Sequence, residues 1–80
     1  MKNMEKYTQV FVEMFGKSAD EVKNLHYQDI IEWDSVGHMT LMSTLEDTFD
    51  IMMETDDIID FDSYEKGIEI LKKYNVDFKS

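Results

Sequence analysis

The chain predicts an all-α fold, a small four-helix bundle of three longer helices and one short one, with a long loop between the first and second. Three observations carry that expectation. Among 80 residues there is no Pro and there are three Gly, so few strong breakers interrupt the chain. Apolar residues recur at three- and four-residue spacing in three separate segments, the period of a helix with one buried face. Nowhere does the apolar–polar alternation of a half-buried strand develop, and there is no internal repeat or low-complexity stretch. The length suits one domain over residues 1–80, because a second core would need on the order of 100 more residues.

The first helix is expected over residues 2–15. Met4, Tyr7, Val10, Phe11 and Met14 fall on one stripe at about 100° per residue, with Gln9 and Glu13 opposite. Gly16 suits the left-handed position that ends a helix. Residues 16–34 form a long connection containing one helical turn, because Ser18-Ala19-Asp20-Glu21 is a capping-box pattern leading to Val22 and Leu25. Ile30, Ile31 and Trp33 then restore apolar weight, and a connection this long in so small a domain is packed or functional.

The second helix should open at Asp34 or Ser35 and reach residue 50. Its inward stripe is His38, Leu41, Met42, Leu45 and Phe49, and its outer face carries Val36, Met39, Thr40, Ser43, Glu46, Asp47 and Asp50. A short helix is expected over residues 56–60, anchored by Ile58, Ile59 and Phe61. Asp62-Ser63-Tyr64-Glu65 reads as a capping box for a last helix reaching residue 74, with Tyr64, Ile68 and Leu71 inward. Gly67 lies inside that helix, where it costs up to ~1 kcal/mol of helix propensity.

Eighteen acidic residues against eight basic ones give a net charge of −10. That balance argues against nucleic-acid binding and attraction to anionic lipid, since both need clustered Lys and Arg, and it favours partners with basic surfaces. With no Cys there is no disulfide framework, thiolate zinc site or thiol nucleophile. The first residues lack the apolar core of a signal peptide, and no apolar run approaches the ~20 residues of a membrane span. A cytoplasmic, monomeric protein is expected.

Catalytic signatures are nearly absent, and no catalytic residue is expected. His26 and His38 cannot supply a paired-histidine zinc helix, and there is no glycine-rich phosphate loop. Trp33-Asp34-Ser35-Val36-Gly37 matches half of a hydrolase nucleophile elbow, but the sheet that elbow needs does not fit in this length. Asp60-Phe61-Asp62-Ser63-Tyr64-Glu65 starts like a calcium loop and then lacks the third ligand and the Gly.

Ser35 is the informative residue. A Ser at a helix start is commonly a cap. Here it also follows a long loop and opens a helix whose outer face is acidic with apolar spots. Unpaired N–H groups at a helix start favour a phosphate attached there, and Asp34 could help hold a divalent metal during transfer of a pyrophosphate-linked group.

Trp33-Asp34-Ser35-Val36-Gly37-His38-Met39 resembles the phosphopantetheine attachment motif of acyl carrier proteins, whose commonest core is Asp-Ser-Leu. Leu41, Leu45-Glu46-Asp47 and Phe49-Asp50 fall where that family's second helix carries Leu, Leu followed by acids, and Phe-Asp. The likeness spans essentially the whole chain. It implies that a phosphopantetheinyl transferase, using Mg²⁺, attaches the 4′-phosphopantetheine arm of coenzyme A to Ser35, with Asp34 assisting. The thiol of the arm would carry an acyl group as a thioester to loading and using enzymes, whose basic patches would dock on Val36, Met39, Glu46, Asp47 and Asp50. Met42, Met52 and Met53 are candidates to line a space for part of the acyl chain.

The pattern departs from the family in places. Val36 replaces the usual Leu, Thr40 stands where many members have Glu, and no Pro precedes the short helix. Trp33 with His38-Met39 looks more like carriers dedicated to one pathway than like the general fatty-acid carrier. An aminoacyl or peptidyl carrier is the nearest variant. The competing reading from another class is an unmodified acidic helical adaptor that binds a basic protein. Ser63 also follows an Asp, but it lacks the preceding long loop and the acidic, apolar-spotted helix.

Overall fold

The computed structural model describes residues 2–79; residues 1 and 80, the two ends of the expected domain, lie outside the described residues. The regular elements of the described residues are all helices, with no strand longer than an isolated bridge. In order, α1 is Asn3–Phe15, α2 is Ala19–Val22, α3 is Ser35–Phe49, α4 is Thr55–Asp60 and α5 is Tyr64–Lys72. The long connection thus holds one short helical turn, as its capping box predicts. Ser18 Oγ accepts the Glu21 N–H at 3.2 Å, and the Glu21 carboxylate accepts the Ser18 N–H at 3.0 Å.

The end signals of α1 and α3 are left-handed residues. Gly16 has φ +64° and donates its N–H to Val12 O, and Asp50 has φ +53° and donates to Glu46 O. The buried stripe of α1 is Tyr7, Phe11 and Phe15, each a turn apart, whereas Val10 and Met14 are half-buried along a groove against α3. Three aromatic rings on one line occupy the centre, and this rotates the expected stripe toward Phe15. Phe11 meets Tyr7, Tyr64 and Trp33 with ring centroids 5.0, 5.2 and 5.7 Å away.

The loop between α2 and α3 is packed. Tyr27 N–H donates to Asp62 O at 2.8 Å and Tyr64 N–H to Leu25 O at 3.0 Å, a short antiparallel bridge that pins the loop to the start of α5. That pairing engages the Asp62 carbonyl and leaves Ser63 extended at the helix start, which corrects the expected capping box. Ser63 is the cap of α5, accepting the Lys66 N–H at 3.0 Å, and Glu65 makes no reciprocal bond. The inward face of α5 is Tyr64, Gly67, Ile70 and Leu71, with Ile68 half-buried. Tight turns through Lys73, Tyr74 and Asn75 finish the helix short of residue 74.

In α4 the expected anchors divide. Phe61 is buried and Ile58 half-buried, but Ile59 is 71% exposed. Residues lie about 100° apart around a helix, so Ile58 sits at the edge of the face that Asp57 buries and Ile59, about 200° round, points outward. The inward position belongs instead to Asp57, whose carboxylate accepts from the Lys73 ammonium and the Tyr74 hydroxyl, while Tyr74 Oη accepts the Glu54 N–H at 2.9 Å. This network ties α4 to the end of α5.

Lys73, and after it Tyr74, hold the Asp57 carboxyl below the usual carboxylate range. A depressed carboxyl contributes stability that is present above the ordinary pKa of about 4 and is lost as the pH falls through the lower folded value. Asp57→Asn is therefore expected to lower the urea midpoint at pH 7 and to flatten its decline below about pH 4. Midpoints that fall in parallel for parent and variant would show that Asp57 does not contribute to acid sensitivity.

Candidate functional site

The site forms where the packed loop turns into α3. Asp34 is the N-cap, with its Oδ1 accepting the Gly37 N–H at 2.8 Å. Ser35 is the first helical residue and is exposed, so its hydroxyl does not serve as the cap. Gly37 N–H is taken by the Asp34 side chain and His38 N–H by the Asp34 carbonyl. The N–H groups of Ser35 and Val36 precede any helical partner and leave partial positive charge beside the hydroxyl. A side chain at Gly37 would overlap the Glu32 carbonyl, so only glycine lets the loop lie directly on this first turn.

Trp33 anchors the turn from behind. It is fully buried, stacks on Phe15 at 5.5 Å and donates its indole N–H to His38 Nδ1 at 3.0 Å. Between Ser35 and α4 lies a mostly apolar cavity of about 300 Å³, with His38, Met39, Ile58, Ile59 and Phe61 in its walls. Ile59 was read as core from the sequence. Its exposure follows from the helix period, because it lies two residues, about 200°, around from the inward Asp57.

The residues expected to meet partners are placed unevenly. Val36 is 73% exposed and Met39 52%, and both flank Ser35. Asp47 and Asp50 are exposed. Glu46 is half-buried, and its carboxylate accepts the Met53 N–H at 2.8 Å, so it holds the connection between α3 and α4. It therefore does not share a free outer face with the other two. The three methionines do not gather as expected. Met42 and Met53 are buried, Met52 is 84% exposed, and none lines the cavity beside Ser35.

The site residues fit a phosphate-linked arm. An exposed hydroxyl stands at the start of a 15-residue helix, next to unpaired N–H groups and an apolar recess. Among the described residues no group of three or more His, Asp and Glu is arranged to hold a metal. Asp34 stands as a single carboxylate with one oxygen committed to the cap.

Comparison with known proteins gives one informative likeness. Over 57 residues the chain is 39% identical to "Acyl carrier protein" of Streptococcus thermophilus (strain CNRZ 1066), covering 71% of this chain and 77% of that protein. No family model matches the chain, and no solved structure does.

Proposed function

The chain belongs to the acyl carrier protein family, and we propose that it carries acyl groups as thioesters on a 4′-phosphopantetheine arm attached to Ser35. Acyl carrier proteins are carriers and not enzymes. The chain serves acyl biosynthesis by presenting a load, and partner enzymes perform the reactions. The observation that supports Ser35 as the attachment residue is its exposed hydroxyl at the first position of α3, released from capping because Asp34 takes that role.

When bound, the arm supplies the thiol that this cysteine-free chain lacks. In the transfer, the Ser35 oxygen forms a phosphodiester with the phosphorus that bears the pantetheine. The pyrophosphate bond of coenzyme A breaks, adenosine bisphosphate leaves, and the hydroxyl proton passes to the transferase or to solvent. Ser35 and Val36 N–H groups stabilise the new phosphate. The Asp34 oxygen not engaged in the cap would help hold Mg²⁺, which would neutralise the pyrophosphate. Tethering then raises the effective concentration of the load at each docked partner.

Val36 and Met39 form the apolar contact for the transferase and later enzymes, and Asp47 and Asp50 steer their basic patches. No helix of the described residues is long and apolar enough to cross a membrane. The reading includes work among cytoplasmic enzymes.

Intact mass after incubation with coenzyme A, Mg²⁺ and a broad-specificity transferase tests the proposal, and a gain of one arm is expected. Unchanged mass under conditions that modify a known carrier would return the chain to the adaptor reading. The docking face has its own test. Asp47→Lys combined with Asp50→Asn, which tolerates the left-handed backbone, is expected to slow modification roughly tenfold at low salt. The difference should shrink at physiological salt, where screening sets in beyond ~8 Å. Equal rates at low salt would remove these two acids from the docking surface.

A further inference from the structure

His38 is a polar side chain in the wall of the site for which the carrier reading provides no task. It lies one turn into α3, and both ring nitrogens are engaged. Nδ1 is 3.0 Å from the Trp33 indole nitrogen, and Nε2 is 2.8 Å from the Ile58 carbonyl oxygen. An indole N–H can only donate and a carbonyl can only accept. Nδ1 is therefore the acceptor and Nε2 carries the proton, so the neutral Nε2–H tautomer satisfies both partners at once.

The three linked residues belong to three segments that meet at Ser35. Trp33 ends the loop two positions before it, His38 lies on the helix that Ser35 opens, and Ile58 lies on α4, across the cavity. The His38–Ile58 contact is the hydrogen bond that joins α3 to α4 directly among the described residues, since Glu46 reaches only the connection between them. Trp33–His38 is likewise the side-chain hydrogen bond that joins the buried indole to α3. The ring is seated by its neighbours. It lies nearly parallel to the indole, 18° between planes, and meets Tyr27 and Phe61 at 5.4 and 6.1 Å between centroids.

We propose that His38 is a positioning residue for arm transfer: the chain of hydrogen bonds from Trp33 through His38 to Ile58 fixes the turn that presents the Ser35 hydroxyl against α4. The inference rests on attachment at Ser35 and adds what holds that hydroxyl in place. A histidine that only filled space would stabilise the fold equally well through its ring contacts, without setting the geometry of transfer. The two roles separate in kinetics. Misplacing a reacting atom by about 1 Å can cost a hundredfold in rate while the docking surface stays intact.

The test uses the full chain as substrate of a phosphopantetheinyl transferase with coenzyme A and Mg²⁺. His38→Leu keeps apolar bulk and loses both hydrogen bonds, whereas His38→Gln offers an acceptor and a donor on one amide. His38→Leu is expected to remain helical, shift the emission of Trp33, the single tryptophan, and lower kcat roughly tenfold to a hundredfold with KM little changed. His38→Gln should recover most of the lost kcat. Should His38→Leu fail to fold, Trp33→Phe, which deletes the indole N–H and keeps an aromatic ring, is expected to show the same fall.

A folded variant without these bonds that retains parental kcat would overturn the inference, as would an effect confined to KM. Failure of the parent chain itself to gain the arm would overturn the attachment reading and this inference with it. That result is distinguishable from the others because the parent is assayed first.

Discussion

Ser35→Ala is expected to abolish transfer of the arm while leaving unfolding stability within about 0.5 kcal/mol of the parent. The acceptor oxygen is gone, so no phosphodiester can form. The small structural effect follows from the cap. Had Ser35 capped α3, the loss would be ~0.5–2 kcal/mol, but Asp34 Oδ1 makes that bond and Ser35 is an exposed first-turn residue. Asp34→Ala should show the complementary pattern, with the capping loss of about 1 kcal/mol and slowed but persisting modification. Intact mass and urea denaturation on the same samples measure both effects. A Ser35→Ala chain that still gained the arm would refute attachment at Ser35 and direct peptide mapping elsewhere. Ser63, the other serine preceded by an Asp, is a poor acceptor. It is buried, and its hydroxyl accepts the Lys66 N–H as the cap of α5.

The parts legible in the sequence are those written in local signals. Gly16 ends α1 because a left-handed residue is needed there, and Ser18 with Glu21 closes a box within four residues. The inward stripe of α3 is read from periodicity alone, and so is the exposure of Val36 and Met39. Long-range pairings decide what was misread. Asp62 cannot cap α5 because its carbonyl pairs with Tyr27, a residue 35 positions earlier. Glu46 looks like one more solvated acid until the chain returns and offers it the Met53 N–H. No local signal marks Asp57, which is buried because Lys73 and Tyr74, just past the end of α5, satisfy its carboxylate. At the candidate site, the motif names Ser35 and Asp34, but only the fold brings Ile58, Ile59 and Phe61 beside them.

Gly67 shows most clearly how packing overrides propensity. From the sequence it is a weak point, and replacing it with Ala should gain up to ~1 kcal/mol of helix propensity. The structure predicts the opposite sign. Gly67 is buried on the inner face of α5, and an added Cβ would overlap the ring edge of Phe61 and the hydroxyl of Tyr7. Neither neighbour can yield cheaply. Phe61 is buried and lies nearly parallel to Phe11. Tyr7 is fully buried and donates its hydroxyl to the Tyr64 carbonyl at 2.6 Å, and burial pushes its phenol well above the ordinary range. Overpacking of a filled core costs about 1–3 kcal/mol, and displacing the Tyr7 hydroxyl adds the loss of a buried hydrogen bond. Gly67→Ala is therefore expected to destabilise the chain by about 1–3 kcal/mol, read as a lower urea midpoint with unchanged slope. Tyr7→Phe removes one of the two colliding groups. In the double variant the cost of Gly67→Ala should be smaller than in the parent background, a coupling that a backbone or propensity effect would not produce. A Gly67→Ala chain as stable as the parent would show that α5 can move outward at no cost, and the tight approach of Gly67 to Tyr7 and Phe61 would then carry no energetic weight.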